Sequence, residues 1–115
     1  MAYSMAPCWD DERPYYGLFV ERGDLADPAA GPRLAERLEA RLRAANMEYA
    51  GKRDSLRLGP VRLELLRPGF WAQWDRERLR QTGGTLEQYK HPCLIADPQF
   101  RDRARGEQGL VASGP

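Results

Sequence analysis

The chain has 115 residues, 42% of them hydrophobic, with 18 Lys and Arg against 17 Asp and Glu and a formal net charge of +1. That length suits one domain burying about two-thirds of its unfolded surface, so no disulfide or metal staple is needed, and the balanced charge gives no electrostatic case for nucleic-acid or membrane-surface partners. No apolar run reaches the length of a membrane span, the N-terminus lacks the regions of a signal peptide, and Cys8 and Cys93 have no metal or dithiol spacing, so a cytoplasmic protein without a metal site is expected.

Residues 2–6 alternate weakly and make one edge strand at most, because Pro7 is expected to stop them. A polar turn over Trp9–Pro14 leads into Tyr15–Glu21, an aromatic and β-branched run with the length of a strand. Tyr16, Leu18 and Val20 share one of its faces, and Tyr15, Gly17 and Phe19 the other. Both faces are apolar, so the strand belongs inside a sheet.

From Pro32, the residues Leu34, Leu38, Leu42 and Ala45 recur at helix spacing, with arginine and glutamate on the opposite side. Arg33/Arg37 and Glu36/Glu39 are spaced for pairing along the helix, which makes that side a solvated lattice. The helix is expected to fade through Ala50-Gly51, with Asn46, Tyr49 and Arg53 as cap and connector.

Val61, Leu63 and Leu65 alternate with Arg62 and Glu64, which predicts a second strand over Val61–Arg67 with one face exposed. Pro68-Gly69 breaks it, and a second helix runs from Phe70 to Gln81, anchored in the core by Phe70, Trp71 and Trp74 and ended by Gly83-Gly84. Cys93–Ala96 adds a short final strand at most, and Arg101–Pro115 reads as a flexible tail. The expected class is α+β: a mixed three- to four-stranded sheet with two helices packed on one face.

Thr82–Leu94 is a glycine-hinged loop that presents Lys90, one of only two lysines with Lys52. Pro92 keeps Lys90 and His91 out of a helix, leaving the lysine free to meet an anionic ligand. A self-contained catalytic set is missing: there is one histidine, no GxSxG, no phosphate-binding glycine loop and no carboxylate cluster with a base beside it. His91 and Cys93 lie across Pro92, a spacing unsuited to a nucleophile–base pair.

Four stretches occur in a recognisable order: Pro14–Glu21, Asn46-x-x-Tyr49-x-x-x-Arg53, Leu58–Gly69 and Gly84-Thr-Leu-Glu-Gln-Tyr-Lys-His-Pro92. Together they resemble the carboxy-terminal domain of the auxin-responsive Gretchen Hagen acyl-acid amido synthetases and their bacterial relatives, within the adenylate-forming superfamily. The resemblance implies a small lid-type domain over residues 1–100, truncated at its start, that swings over a large amino-terminal adenylating domain supplied in cis or in trans. It implies ATP and Mg as co-substrates of the full enzyme, with none bound by this chain alone, and an acyl acid and an amino acid as the partners joined. It makes Lys90 the catalytic candidate and adds Gln88 and Tyr89 as loop binding residues; Asn46, Tyr49 and Arg53 match positions that recur in the family, and bracing the helix-to-strand connection is favoured for them over contact with substrate. The chain departs from the family pattern where Cys93, rather than arginine, follows Pro92. The alternative reading is a non-catalytic binding module of the same fold that forms a homodimer through an uncovered sheet face or open edge.

Overall fold

In the computed structural model, which describes residues 2–27, 29–83 and 89–106, strands β1 (Tyr3–Trp9), β2 (Pro14–Glu21) and β3 (Arg62–Leu66) form one sheet in the order β1-β2-β3. β1 pairs antiparallel with β2, placing Tyr3 opposite Val20, and β3 pairs parallel with β2, placing Glu21 opposite Leu66. The sheet is therefore mixed, and the strand that is apolar on both faces is central, as expected. Among the described residues four α-helices accompany it: α1 (Ala30–Ala45), α2 (Met47–Asp54), α3 (Phe70–Thr82) and α4 (Phe100–Gly106).

Alternation along β2 sorts the core into two layers. Leu18 and Val20 meet Ala35, Leu34, Leu38 and Leu42 of α1, while Tyr15 and Phe19 meet Phe70, Trp71 and Phe100 of α3 and α4. Each fully buried large apolar side chain contributes about 1.5–3 kcal/mol. The two helices expected on one face thus lie on opposite faces. α1 crosses between two parallel strands and covers one side, and the chain leaving β3 turns α3 onto the other. Gly31 sits where α1 crosses β3: a Cβ there would lie 2.4 Å from the Leu63 side chain. The sheet face expected to be bare is covered. Glu64, expected on an exposed face, lies instead under this second layer, accepting from the Tyr15 hydroxyl at 3.2 Å.

Pro7 does not end β1. Met5 directs its amide to Cys93 O and its carbonyl to Ile95 N, both at 2.8 Å, so the backbone groups of Met5 point away from β2. Pro7, two residues on, points the same way, and its missing N–H removes no bond to β2. The expected fourth strand reduces to a single parallel bridge between Met5 and Leu94.

The expected fading of α1 is a corner. Asn46 is extended, donates its amide to Leu42 O at the end of α1 and accepts from the Tyr49 amide at 3.1 Å at the start of α2. The tail expected from Arg101 begins as α4, whose Phe100 and Ala104 are buried one turn apart. Among the described residues no helix is long and apolar enough to cross a membrane.

Candidate functional site

The site is built from α3. Gly69 precedes the helix with φ +85°, and Gly83 follows it with φ +68°, a left-handed conformation that glycine adopts without strain. Two amides at the start of the helix are met by Glu21 at the end of β2, whose carboxylate accepts from Gly69 N, at the N-cap, at 2.6 Å and from Trp71 N at 3.0 Å. A negative group at a helix N-terminus satisfies these donors and complements the helix dipole. The pitch and direction of α3 are thus tied to the central strand.

Trp71 faces the core, and Asp75, four residues later, rises on the same side of the helix. The His91 ring lies edge-on to Trp71, with centroids 4.6 Å apart. Its Nδ1 is 2.8 Å from Asp75 Oδ1 and 3.0 Å from Oδ2. The Tyr89 hydroxyl donates to the same Oδ1. Burial, reinforced by Asp75, pushes the Tyr89 phenol up to about 12, so it remains a donor at neutral pH.

On its other side His91 meets β1. Nε2 lies 2.9 Å from Ser4 Oγ and 3.1 Å from Tyr3 O, and the Ser4 hydroxyl donates to Pro92 O at 2.6 Å. Both ring nitrogens therefore face oxygen atoms of neighbouring elements. Ser4, His91 and Asp75 follow the bonding order of a nucleophilic triad without its chemistry, because Ser4 is fully buried and its proton is directed at a carbonyl.

Lys90 lies between these two held residues. It is exposed and takes part in no ion pair among the described residues. Of the three loop candidates, Lys90 and Tyr89 are adjacent but differently used: the Tyr89 hydroxyl is bound internally while Lys90 is open to solvent. Gln88 lies outside the described residues. Asp75 and Ser4 were not found from the sequence. The available signal was a carboxylate one helical turn beyond Trp71 on a core-facing stripe, a position that calls for a partner in a chain with a single histidine.

Asn46, Tyr49 and Arg53 lie apart from this loop and brace the α1–α2–β3 connection. Glu39 accepts from the Tyr49 hydroxyl, from Arg53 Nε at 2.7 Å and from Val61 N at 3.4 Å, and Arg53 also donates to Leu58 O at 3.1 Å. Burial of Glu39 acts to raise its carboxyl, but these bonds outweigh it and hold the carboxyl below its ordinary value. Among the described residues no three His, Cys, Asp or Glu side chains converge as metal ligands.

The family model for the GH3 family C-terminal domain matches residues 1–99. The chain belongs to the GH3 family. A solved structure of GH3.15 acyl acid amido synthetase superposes with a TM-score of 0.73 at 15% identity. A second, described as AtGH3.15 acyl acid amido synthetase in complex with 2,4-DB, gives 0.67 at 14% identity. Each covers 97% of this chain, which spans 20% of the length of those chains. At such identity the likeness is one of fold. No curated protein matches. In this GH3 domain the Gln-Tyr-Lys-His-Pro segment carries one open cation with both neighbours tied to a single carboxylate.

Proposed function

We propose that this domain is the mobile carboxy-terminal part of an ATP-dependent acyl-acid amido synthetase and delivers Lys90 to an adenylation site built by a larger amino-terminal domain. The supporting observation is an exposed lysine between two anchored residues, in a chain that matches the GH3 C-terminal domain over residues 1–99. In the first half-reaction an acyl carboxylate oxygen attacks the α-phosphorus of ATP. A carboxylate–phosphate anhydride forms, and the bond to the leaving pyrophosphate breaks. In the second, the amine of an amino acid attacks the acyl carbon, AMP leaves, and the product is an amide after loss of a proton.

The first step brings two anions together. An ammonium placed near the carboxylate and the α-phosphate offsets that charge, and domain closure excludes water, which strengthens the attraction. Gln88 is proposed as a ligand-binding residue, whereas Tyr89 contributes through its link to Asp75. MgATP enters as a substrate of the assembled enzyme, and this domain alone is inactive. An ATP-dependent role suits the cytoplasm.

The test is to mix this chain with the amino-terminal portion of a GH3 amido synthetase stripped of its own carboxy-terminal domain, or to fuse the two. Acyl-dependent pyrophosphate release is expected with this chain and not without it. Release unchanged by the chain, mixed or fused, contradicts the proposal.

A further inference from the structure

We propose that Asp75 and His91 are positioning residues for Lys90: one carboxylate on α3 holds the residue on each side of the lysine and so sets the point from which its ammonium is delivered. The inference rests on the reading of Lys90 given above.

A lysine side chain has four rotatable carbons, so its charge is only as well placed as its backbone. After Lys90 the backbone is held at three points: Pro92 O by Ser4, Cys93 O by the Met5 amide and Ile95 N by the Met5 carbonyl. These ties fix the segment downstream of the lysine. At Lys90 itself the described ties belong to its neighbours, through the Tyr89 hydroxyl and His91 Nδ1, and both end on Asp75.

Asp75 in turn is placed by α3, whose first turn is held by Glu21 of the central strand. A continuous path of hydrogen bonds therefore leads from β2, through α3, to both flanks of the lysine. His91 adds a second anchor, on β1, because its Nε2 faces Ser4 Oγ and Tyr3 O. The Trp71 and Trp74 rings, with centroids 4.6 and 6.0 Å from that of His91, hold the imidazole against the helix. Such rigidity matters because misplacing a charged group by about 1 Å costs on the order of 100-fold in rate.

An ordinary stabilising ion pair differs from a positioning device in where its loss is felt. Removing Asp75 removes the tie of Tyr89 and the Nδ1 tie of His91, and leaves the Nε2 contacts of His91 with β1 and the three downstream ties untouched. Backbone 15N relaxation of the 115-residue chain reads the difference directly. In the wild type, Lys90 is expected to have an order parameter close to that of β2, about 0.85. In Asp75→Ala the values at Tyr89 and Lys90 should fall below about 0.6, with a smaller fall at His91, which keeps its Nε2 contacts with β1, while Ile95, β2 and α3 keep theirs. Asp75→Asn, which retains an acceptor oxygen, should restore part of the order, and His91→Gln should loosen Lys90 without disturbing β2. These two variants also serve if Asp75→Ala does not fold.

Order at Lys90 that is unchanged in all the folded variants overturns the inference, as does a loss spread evenly over the domain. Adenylation that is indifferent to Lys90→Ala would instead remove the reading of Lys90 itself, an outcome that the relaxation data neither produce nor conceal.

Discussion

Glu21 Oε1 lies 2.6 Å from the amide nitrogen of Gly69, so the last residue of the central strand caps the helix that carries Asp75. Forty-eight residues separate them in the chain, and the bond joins the central strand to the element beneath the lysine loop. Glu21→Ala leaves two amides at the start of α3 without this partner and should lower unfolding free energy by about 1–2 kcal/mol in urea denaturation. Glu21→Gln keeps an acceptor and should lose less. An unaltered midpoint in Glu21→Ala would mean the cap contributes nothing.

Glu39 is the corresponding anchor on the opposite face. Its side chain and that of Arg53 are 15% and 18% exposed, and removing one partner of such a pair strands the other, so Glu39→Ala should cost about 3 kcal/mol. The folded-state carboxyl is held below its ordinary value. Its stabilising contribution is therefore fully present above the unfolded value of about 4.3 and is lost as pH falls through the lower folded value. The stability gap between wild type and Glu39→Gln should be flat at neutral pH and should narrow below about pH 4.3. A gap that widens on acidification would contradict the assigned bonds.

Much of this architecture was legible in the residues. Tyr15–Glu21 reads as an interior strand because both alternating sets are apolar, and Leu34, Leu38 and Leu42 mark the buried stripe of α1. The exposed lysine followed from glycine and proline punctuation together with the family resemblance. What was not legible depends on contacts distant in sequence. Pro7 is tolerated because the missing N–H faces away from β2. The short helix α2 carries one buried residue, Tyr49, too little for a periodic signal. In α4 only Phe100 and Ala104 stand out among charged residues. Asp75 and His91 are sixteen residues apart, and nothing in either stretch alone announces the other.

The two cysteines should differ in reactivity. Cys8 is buried and its thiol is pushed up to about 11, first by burial and then by the charge of Glu64, whereas Cys93 is exposed. A thiol reagent at neutral pH should modify Cys93 quickly and reach Cys8 only on unfolding. Equal native rates for both thiols would place Cys8 outside the core.

Leu56 follows α2 with φ +62° and is 66% exposed. The left-handed conformation costs a β-carbon residue about 1–2 kcal/mol, and little apolar burial is at stake. Leu56→Asn should therefore raise the unfolding free energy by about 0.5–1 kcal/mol, since asparagine tolerates this region. A loss of stability would contradict this assignment of strain to Leu56.

The central claim concerns the ammonium of Lys90, and a single-turnover measurement of acyl adenylate formation tests it most directly. The chain is joined to an amino-terminal adenylating domain and compared as wild type, Lys90→Ala and Lys52→Ala, with folding checked by circular dichroism. Removing one preorganised charge from the transition state should slow adenylation by about 100- to 1,000-fold in Lys90→Ala, while Lys52→Ala stays at the wild-type rate. Full-rate adenylation by a folded Lys90→Ala protein would contradict the account.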